Sequence, residues 1–162
     1  AEHVLNIADS WFGVFVAIYT VGILLGFVVA GLIKSQNRFR LIAMAGGIVG
    51  VLFLGLIVAA SALVTVISLL GIGMAIGVVI VNLMTELQLA APEAERGGIM
   101  GAAQAIGGSS LPIGMGLSGL VLEGLFRYGV SYEAATRGIL ATAASLAILA
   151  AAVALLKERP TP

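Results

Sequence analysis

Five stretches of about twenty predominantly apolar residues follow one another along this chain, over 11–33, 41–60, 63–85, 99–122 and 138–156. None carries Asp, Glu, Lys, Arg or His at its centre. Crossing ~30 Å of hydrocarbon takes about twenty helical residues, so each run is long enough or nearly so. Strands are excluded because the runs do not alternate apolar with polar residues as the strands of a membrane barrel must. A helix satisfies its backbone groups internally, which lipid demands. The reading is an all-α, polytopic transmembrane helix bundle of five spans, forming one transmembrane domain over 1–162. Composition agrees: 60% of the residues are hydrophobic and 10% charged, far too few charges to coat a soluble domain of this length.

The basic residues set a topology. Lys34, Arg38 and Arg40 follow the first span, Arg96 precedes the fourth, and Lys157 and Arg159 follow the fifth. The other ends of the spans carry only Arg127 and Arg137. Six against two predicts the six-residue side to be cytoplasmic, the N-terminus outside and the C-terminus inside. Trp11, Phe12, Phe126, Tyr128 and Tyr132 then fall near the outer interface, where aromatic rings prefer to sit. The start, Ala1-Glu2-His3, has neither an initiator Met nor a basic leader. With an odd number of spans, it leads to the expectation that the chain is a piece of a larger protein.

Several chemistries find no residues. There is no cysteine for a thiolate site or nucleophile, and His3 is the only histidine, so no metal site is expected. Ser109 and Ser110 have no histidine base in their span, and paired intramembrane carboxylates are missing, which argues against an enzyme. Gly71-Ile72-Gly73-Met74-Ala75-Ile76-Gly77 lies inside an apolar run and not at a strand-to-helix turn, so it predicts no nucleotide or other cofactor. No basic stripe exists for nucleic acid.

Glycine, at 22 residues, is patterned along helix faces. Tyr19, Gly22, Gly26 and Ala30 share a face of the first span; Gly46 and Gly50, and Gly73 and Gly77, repeat the spacing in the second and third. Gly97, Gly101, Gln104, Gly108 and Pro112 form a stripe on the fourth. Small residues four apart let helices approach closely in lipid. The larger polar side chains sit in the first, third and fourth spans, so the second and fifth read as peripheral and lipid-facing. Asn82 and Gln104 should face protein or a wet cavity, either bonding between helices or lining a binding site. Pro112, behind Gly107, Gly108, Ser109 and Ser110, predicts a bend, either static or a hinge centred on Gly108 and Pro112.

The run Pro92-Glu93-Ala94-Glu95-Arg96-Gly97, followed by Gly101, Gln104-Ala105, Pro112, Gly114 and Gly119, resembles major facilitator superfamily transporters, most closely the drug-efflux branch with macrolide-exporter-like members. There a Pro-x-x-x-Arg-Gly loop precedes a glycine-rich helix with an internal Pro-x-Gly. The resemblance implies that the five spans correspond to helices 8–12 of a twelve-helix major facilitator fold, in the C-terminal half of a transporter whose N-terminal half lies elsewhere, with helices 2–6 of the first half as the alternative register. The family's cytoplasmic motif, Gly-x-x-x-Asp-Arg-x-Gly-Arg-Arg, is degenerate: Gly31 and Arg40 fit, whereas Ser35, Gln36, Arg38 and Phe39 do not. The implied function is efflux of a small lipophilic or amphipathic compound across a bacterial inner membrane. Its partners would be membrane lipid, the substrate and the other half. Tyr19, Asn82, Gln104 and Ser109 would line the cavity, and Arg38, Arg40, Glu93 and Arg96 would act at the cytoplasmic gate. A non-transporting membrane scaffold or subunit is the alternative.

Overall fold

A computed structural model describes residues 10–33, 37–58 and 61–157. His3, Lys34, Ala60 and Arg159 fall outside these residues, as do the side chains of Trp11, Phe12, Tyr132 and Lys157. The described residues form five α-helices and no strand: α1 (Ser10–Leu32), α2 (Arg38–Val58), α3 (Ala62–Ala90), α4 (Arg96–Arg127) and α5 (Tyr132–Lys157). All five are long and apolar enough to cross a membrane.

The helices outrun the hydropathic spans. The third was expected to stop at 85 and continues to Ala90; the fourth was expected over 99–122 and covers Arg96–Arg127; the fifth was expected from 138 and begins at Tyr132. Hydropathy marks the part that crosses hydrocarbon, whereas the helix ends where its backbone is capped. The Asn37 side chain accepts the Arg40 amide at 3.2 Å, Ser61 that of Val64 at 3.4 Å, and Ser131 that of Ala134 at 3.4 Å, starting α2, α3 and α5. At the far end of α4, Gly129 has φ +77°. Its amide donates to the Phe126 carbonyl at 3.0 Å, and the Val130 amide to Leu125 at 3.1 Å. This is a Schellman closure, and the left-handed residue in it is glycine because a Cβ is disfavoured there.

The chain gathers into two compact units, Ala1–Leu83 with Leu140–Pro162, and Met84–Ile139. In the first, α1 lies against α3 through glycine on both sides. A Cβ added to Gly22 would stand 3.1 Å from Gly73 Cα, and one on Gly26 would stand 2.9 Å from Gly77 Cα. Residue numbers rise together across this contact, so the two helices run parallel. On another face of α3, Leu52 covers Gly71 and Ser68 approaches Gly55, which makes α2 antiparallel to α3. In turn α2 meets α5 where Gly50 faces Ala144 and Ile148, and Gly47 faces Ala151, again antiparallel. Helices α1, α3 and the 140–157 part of α5 thus point one way and α2 the other, the alternation that successive crossings require.

The order of contact is α1–α3–α2–α5, which corrects one expectation. The second span is not a peripheral helix within this unit: it is held on two faces and is as buried as α1, at 17% each. Polar content was a poor guide because small residues, not polar ones, decide how closely helices pack. Ala43, Ala45 and Gly50 are the buried positions of α2.

The second unit comprises the end of α3, a turn closed by the Glu95 amide on the Pro92 carbonyl at 3.0 Å, α4, and the first turns of α5. Exposed ion pairs Glu123–Arg127 (3.0 Å) and Glu133–Arg137 (2.7 Å) flank its Gly129–Ser131 connection. Within this unit the α4 glycines, Gly97, Gly101 and Gly108 among them, meet no atom within 4 Å of an added Cβ. The packing read from that stripe is not formed there.

Candidate functional site

The burial pattern is inverted relative to a water-soluble protein. No large side chain is fully buried among the described residues; the buried set is mainly alanine and glycine, with Thr65, Ser68, Ile72, Val78 and Asn82. The large apolar side chains, such as Leu24, Val28, Val51 and Ile67, point outward. In water this arrangement would expose what the hydrophobic effect buries. In lipid the outside needs no polar coat, and small residues win the interior because they let backbones touch.

Polar side chains within the spans are satisfied mainly by their own helix. Thr20 donates to the Val16 carbonyl at 2.8 Å, Thr65 to Ser61 at 3.3 Å, Ser118 to Met115 at 2.9 Å and Ser145 to Ala141 at 2.8 Å. Asn82, only 7% exposed, donates through Nδ2 to the Val78 carbonyl at 2.8 Å. It faces protein, as expected, but this bond lies within α3 and is not a bridge to another helix. Such local bonds lower the cost of a polar group at membrane depth.

The four cavity candidates do not form one cluster. Tyr19 is half-buried on α1, and its backbone carbonyl meets α3 at Gly73. Asn82 lies nine residues further along α3, roughly 13 Å away along the axis. Its neighbour Val78 packs with Ala30, Ala45 and Ala75, near the end of α1 and the start of α2. Gln104 and Ser109 belong to the second unit, and both are exposed. Ser109 donates to the Ile106 carbonyl at 3.1 Å and Ser110 to Gly107 at 2.6 Å. Gln104 makes no side-chain hydrogen bond among the described residues.

Gly108 and Pro112, the hinge candidates, are both exposed within α4, and the helix continues through Pro112. Proline has no amide hydrogen, so the Gly108 carbonyl loses its ordinary donor. Among the gate candidates, Arg38 and Arg40 share the first turn of α2, where Arg38 is half-buried and Arg40 exposed. Glu93 and Arg96, both exposed, flank the start of α4, which Glu95 caps without a side-chain bond.

None of these residues lines either of two grooves within the first unit. One, of about 260 Å³, lies among α2, α3 and α5 beside Phe39, Gly46, Val79 and Ala150. The other, of about 360 Å³, runs between α2 and α5 beside Met44, Gly47, Val51 and Leu155. Ala43 and Ala151 border both, but the remaining α2 residues of the two lie on different faces of that helix. Sequence reasoning missed these residues because alanine and glycine carry no chemical signal of a site.

Length, apolarity and the inverted interior together define the class: an all-helical membrane protein with five candidate spans. Comparison with protein-family models, with curated proteins and with solved structures finds no match for the chain.

Proposed function

We propose that the chain is part of a secondary active transporter that exports a small lipophilic or amphipathic compound by alternating access, with the N-terminus outside a bacterial inner membrane and a second helical half completing the path. No bond-breaking chemistry is required. The work is differential binding of the substrate to outward- and inward-open states as one half rocks against the other. The resemblance of Pro92–Gly97 and of the glycine-rich α4 to major facilitator exporters supports this reading.

Gln104 is the observation that carries it. Its carboxamide lies in a candidate span, is exposed, and has no hydrogen bond among the described residues, unlike the self-bonded Asn82. An amide left against acyl chains is costly, so this face of α4 calls for water, substrate or a complementary protein surface. In the full-length protein, Gln104→Ala should reduce export about two- to tenfold, the worth of one hydrogen bond, with unchanged abundance in the membrane. Unchanged export rejects the cavity assignment.

The continuous α1–α3–α2–α5 contacts favour a second reading, a non-transporting membrane subunit or scaffold that closes its own interfaces. A chain that is monodisperse and folded alone in detergent, and whose full-length parent moves no substrate, would establish it.

A further inference from the structure

We propose that α4 carries a register switch at 107–112, in which the Ser110 and Leu111 amides move from the carbonyls four residues back to those three residues back while the Ser109 and Ser110 hydroxyls hold the carbonyls left behind. This inference stands on the local geometry of α4 and holds for a transporter and a scaffold alike.

In an α-helix the amides of residues 110, 111 and 112 serve the carbonyls of Ile106, Gly107 and Gly108. α4 is α-helical through this turn. Pro112 has no amide hydrogen, so Gly108 is left without its donor near the middle of the apolar run 99–122. In lipid a bare carbonyl must find another partner. The nearest donor along the helix is the Leu111 amide, which reaches Gly108 by closing a 3₁₀ turn. That move takes the amide away from Gly107, but Gly107 already accepts the Ser110 hydroxyl at 2.6 Å. The Ser110 amide can then follow, from Ile106 to Gly107. Ile106 in turn keeps the Ser109 hydroxyl, which it accepts at 3.1 Å. The two carbonyls that the shift uncovers are the two that carry a serine hydroxyl.

Neither register wins outright. The α form leaves Gly108 bare, presses its carbonyl against the proline ring, and holds residue 111 in a conformation that a following proline disfavours. The 3₁₀ form satisfies every group, with poorer hydrogen-bond geometry and eclipsed side chains. Gly107 and Gly108 have no side chains to eclipse, and an added Cβ on either would meet nothing within 4 Å. A 3₁₀ turn has 3.0 residues and ~2.0 Å of rise per residue, against 3.6 and ~1.5 Å in an α-helix. Each shifted residue therefore turns the rest of α4 by about 20° and advances it by about 0.5 Å. Two of them rotate the segment after Pro112 by about 40° against the segment that carries Gln104.

The test uses the full chain in lipid nanodiscs. Gly108–Ser109 is the only Gly-Ser pair in the sequence. Carbonyl-labelled glycine with nitrogen-labelled serine therefore isolates the Gly108 carbonyl in an NMR carbonyl-to-amide correlation, where accepting a hydrogen bond moves it downfield. Wild type should give two Gly108 resonances, or one averaged resonance that moves with temperature. Pro112→Ala supplies the missing amide and should give a single downfield resonance that does not move. Ser109→Ala with Ser110→Ala should shift the population towards the bare-carbonyl register at least about fivefold, with labelled alanine in place of serine. Ser109→Thr with Ser110→Thr keeps both hydroxyls and should hold the wild-type ratio, read with labelled threonine. Helix content by circular dichroism should stay at the wild-type level throughout. A single temperature-independent Gly108 resonance in wild type identifies a static kink and overturns the proposal. An unchanged ratio in the double alanine variant, or a double threonine variant that behaves like it, removes the hydroxyls from the switch and overturns it too.

Discussion

Adding one methyl group at Gly26 isolates the contact on which the first unit is built. A Cβ there would lie 2.9 Å from Gly77 Cα and 3.0 Å from the Met74 carbonyl carbon. Carbon atoms rest at about 3.5–4.0 Å, and the Met74 carbonyl oxygen stands closer still, so α1 must retreat from α3 by roughly 1 Å. A gap of that size forfeits about a quarter to a half of each pairwise attraction along the seam, and overpacking of this kind costs about 1–3 kcal/mol. Alanine is also the better helix former by about 0.8–1 kcal/mol, which offsets part of the loss. Gly46→Ala provides the comparison, because it has the same propensity gain and meets nothing within 4 Å. Gly26→Ala should therefore be less stable than Gly46→Ala by about 1–3 kcal/mol. Unfolding in mixed micelles of mild detergent and dodecyl sulfate measures this, followed by circular dichroism and by the fluorescence of Trp11, the single tryptophan. Gly77→Ala should cost a similar amount, and the double variant less than the sum, since one separation of the helices relieves both clashes. Equal stability of Gly26→Ala and Gly46→Ala, or strict additivity of the pair, would refute the backbone contact.

Three further outcomes follow from the geometry. The chain has no cysteine, and a Cβ on Gly47 would lie 3.4 Å from Ala151 Cβ, at the short edge of disulfide geometry. Gly47→Cys with Ala151→Cys should therefore oxidise to a crosslink, seen as loss of two labelable thiols, whereas Gly31→Cys with Ala151→Cys should not. Asn82→Leu should change stability by less than about 1 kcal/mol in the same unfolding assay, because the amide bonds its own helix; a loss of several kcal/mol would reveal a bridge to another helix. Gly129→Ala should destabilise the α4–α5 connection by about 1–2 kcal/mol, read as faster amide exchange at Val130, since its φ of +77° disfavours a Cβ.

The candidate sites were less legible than the spans. Gln104 stood out because a carboxamide in an apolar run demands an explanation whatever surrounds it. Asn82 made the same demand, yet its solution, a bond to Val78 four residues back, is a rotamer choice that composition does not encode. The Gly129 and Ser131 signals that end α4 and start α5 were present in the sequence, as a glycine and then a serine before Glu133. They were hidden by defining spans through hydropathy alone. The groove beside Gly46 and Ala150 had no signal, because small apolar residues read identically whether they close an interface or leave it open.

By itself the sequence determined that this chain meets lipid: five long runs without central charges can satisfy their backbones in hydrocarbon only as helices. It also marked Gly22, Gly26, Gly73 and Gly77 as positions where helices could come close. Which helix each glycine would meet was decided by tertiary structure alone. Glycine specifies close approach but not a partner, since the contact is backbone on backbone and any helix presents the same surface. The α1–α3 pairing, the place of α2 between α3 and α5, and the grooves beside the α2–α5 contact arise from how well whole helix faces fit one another.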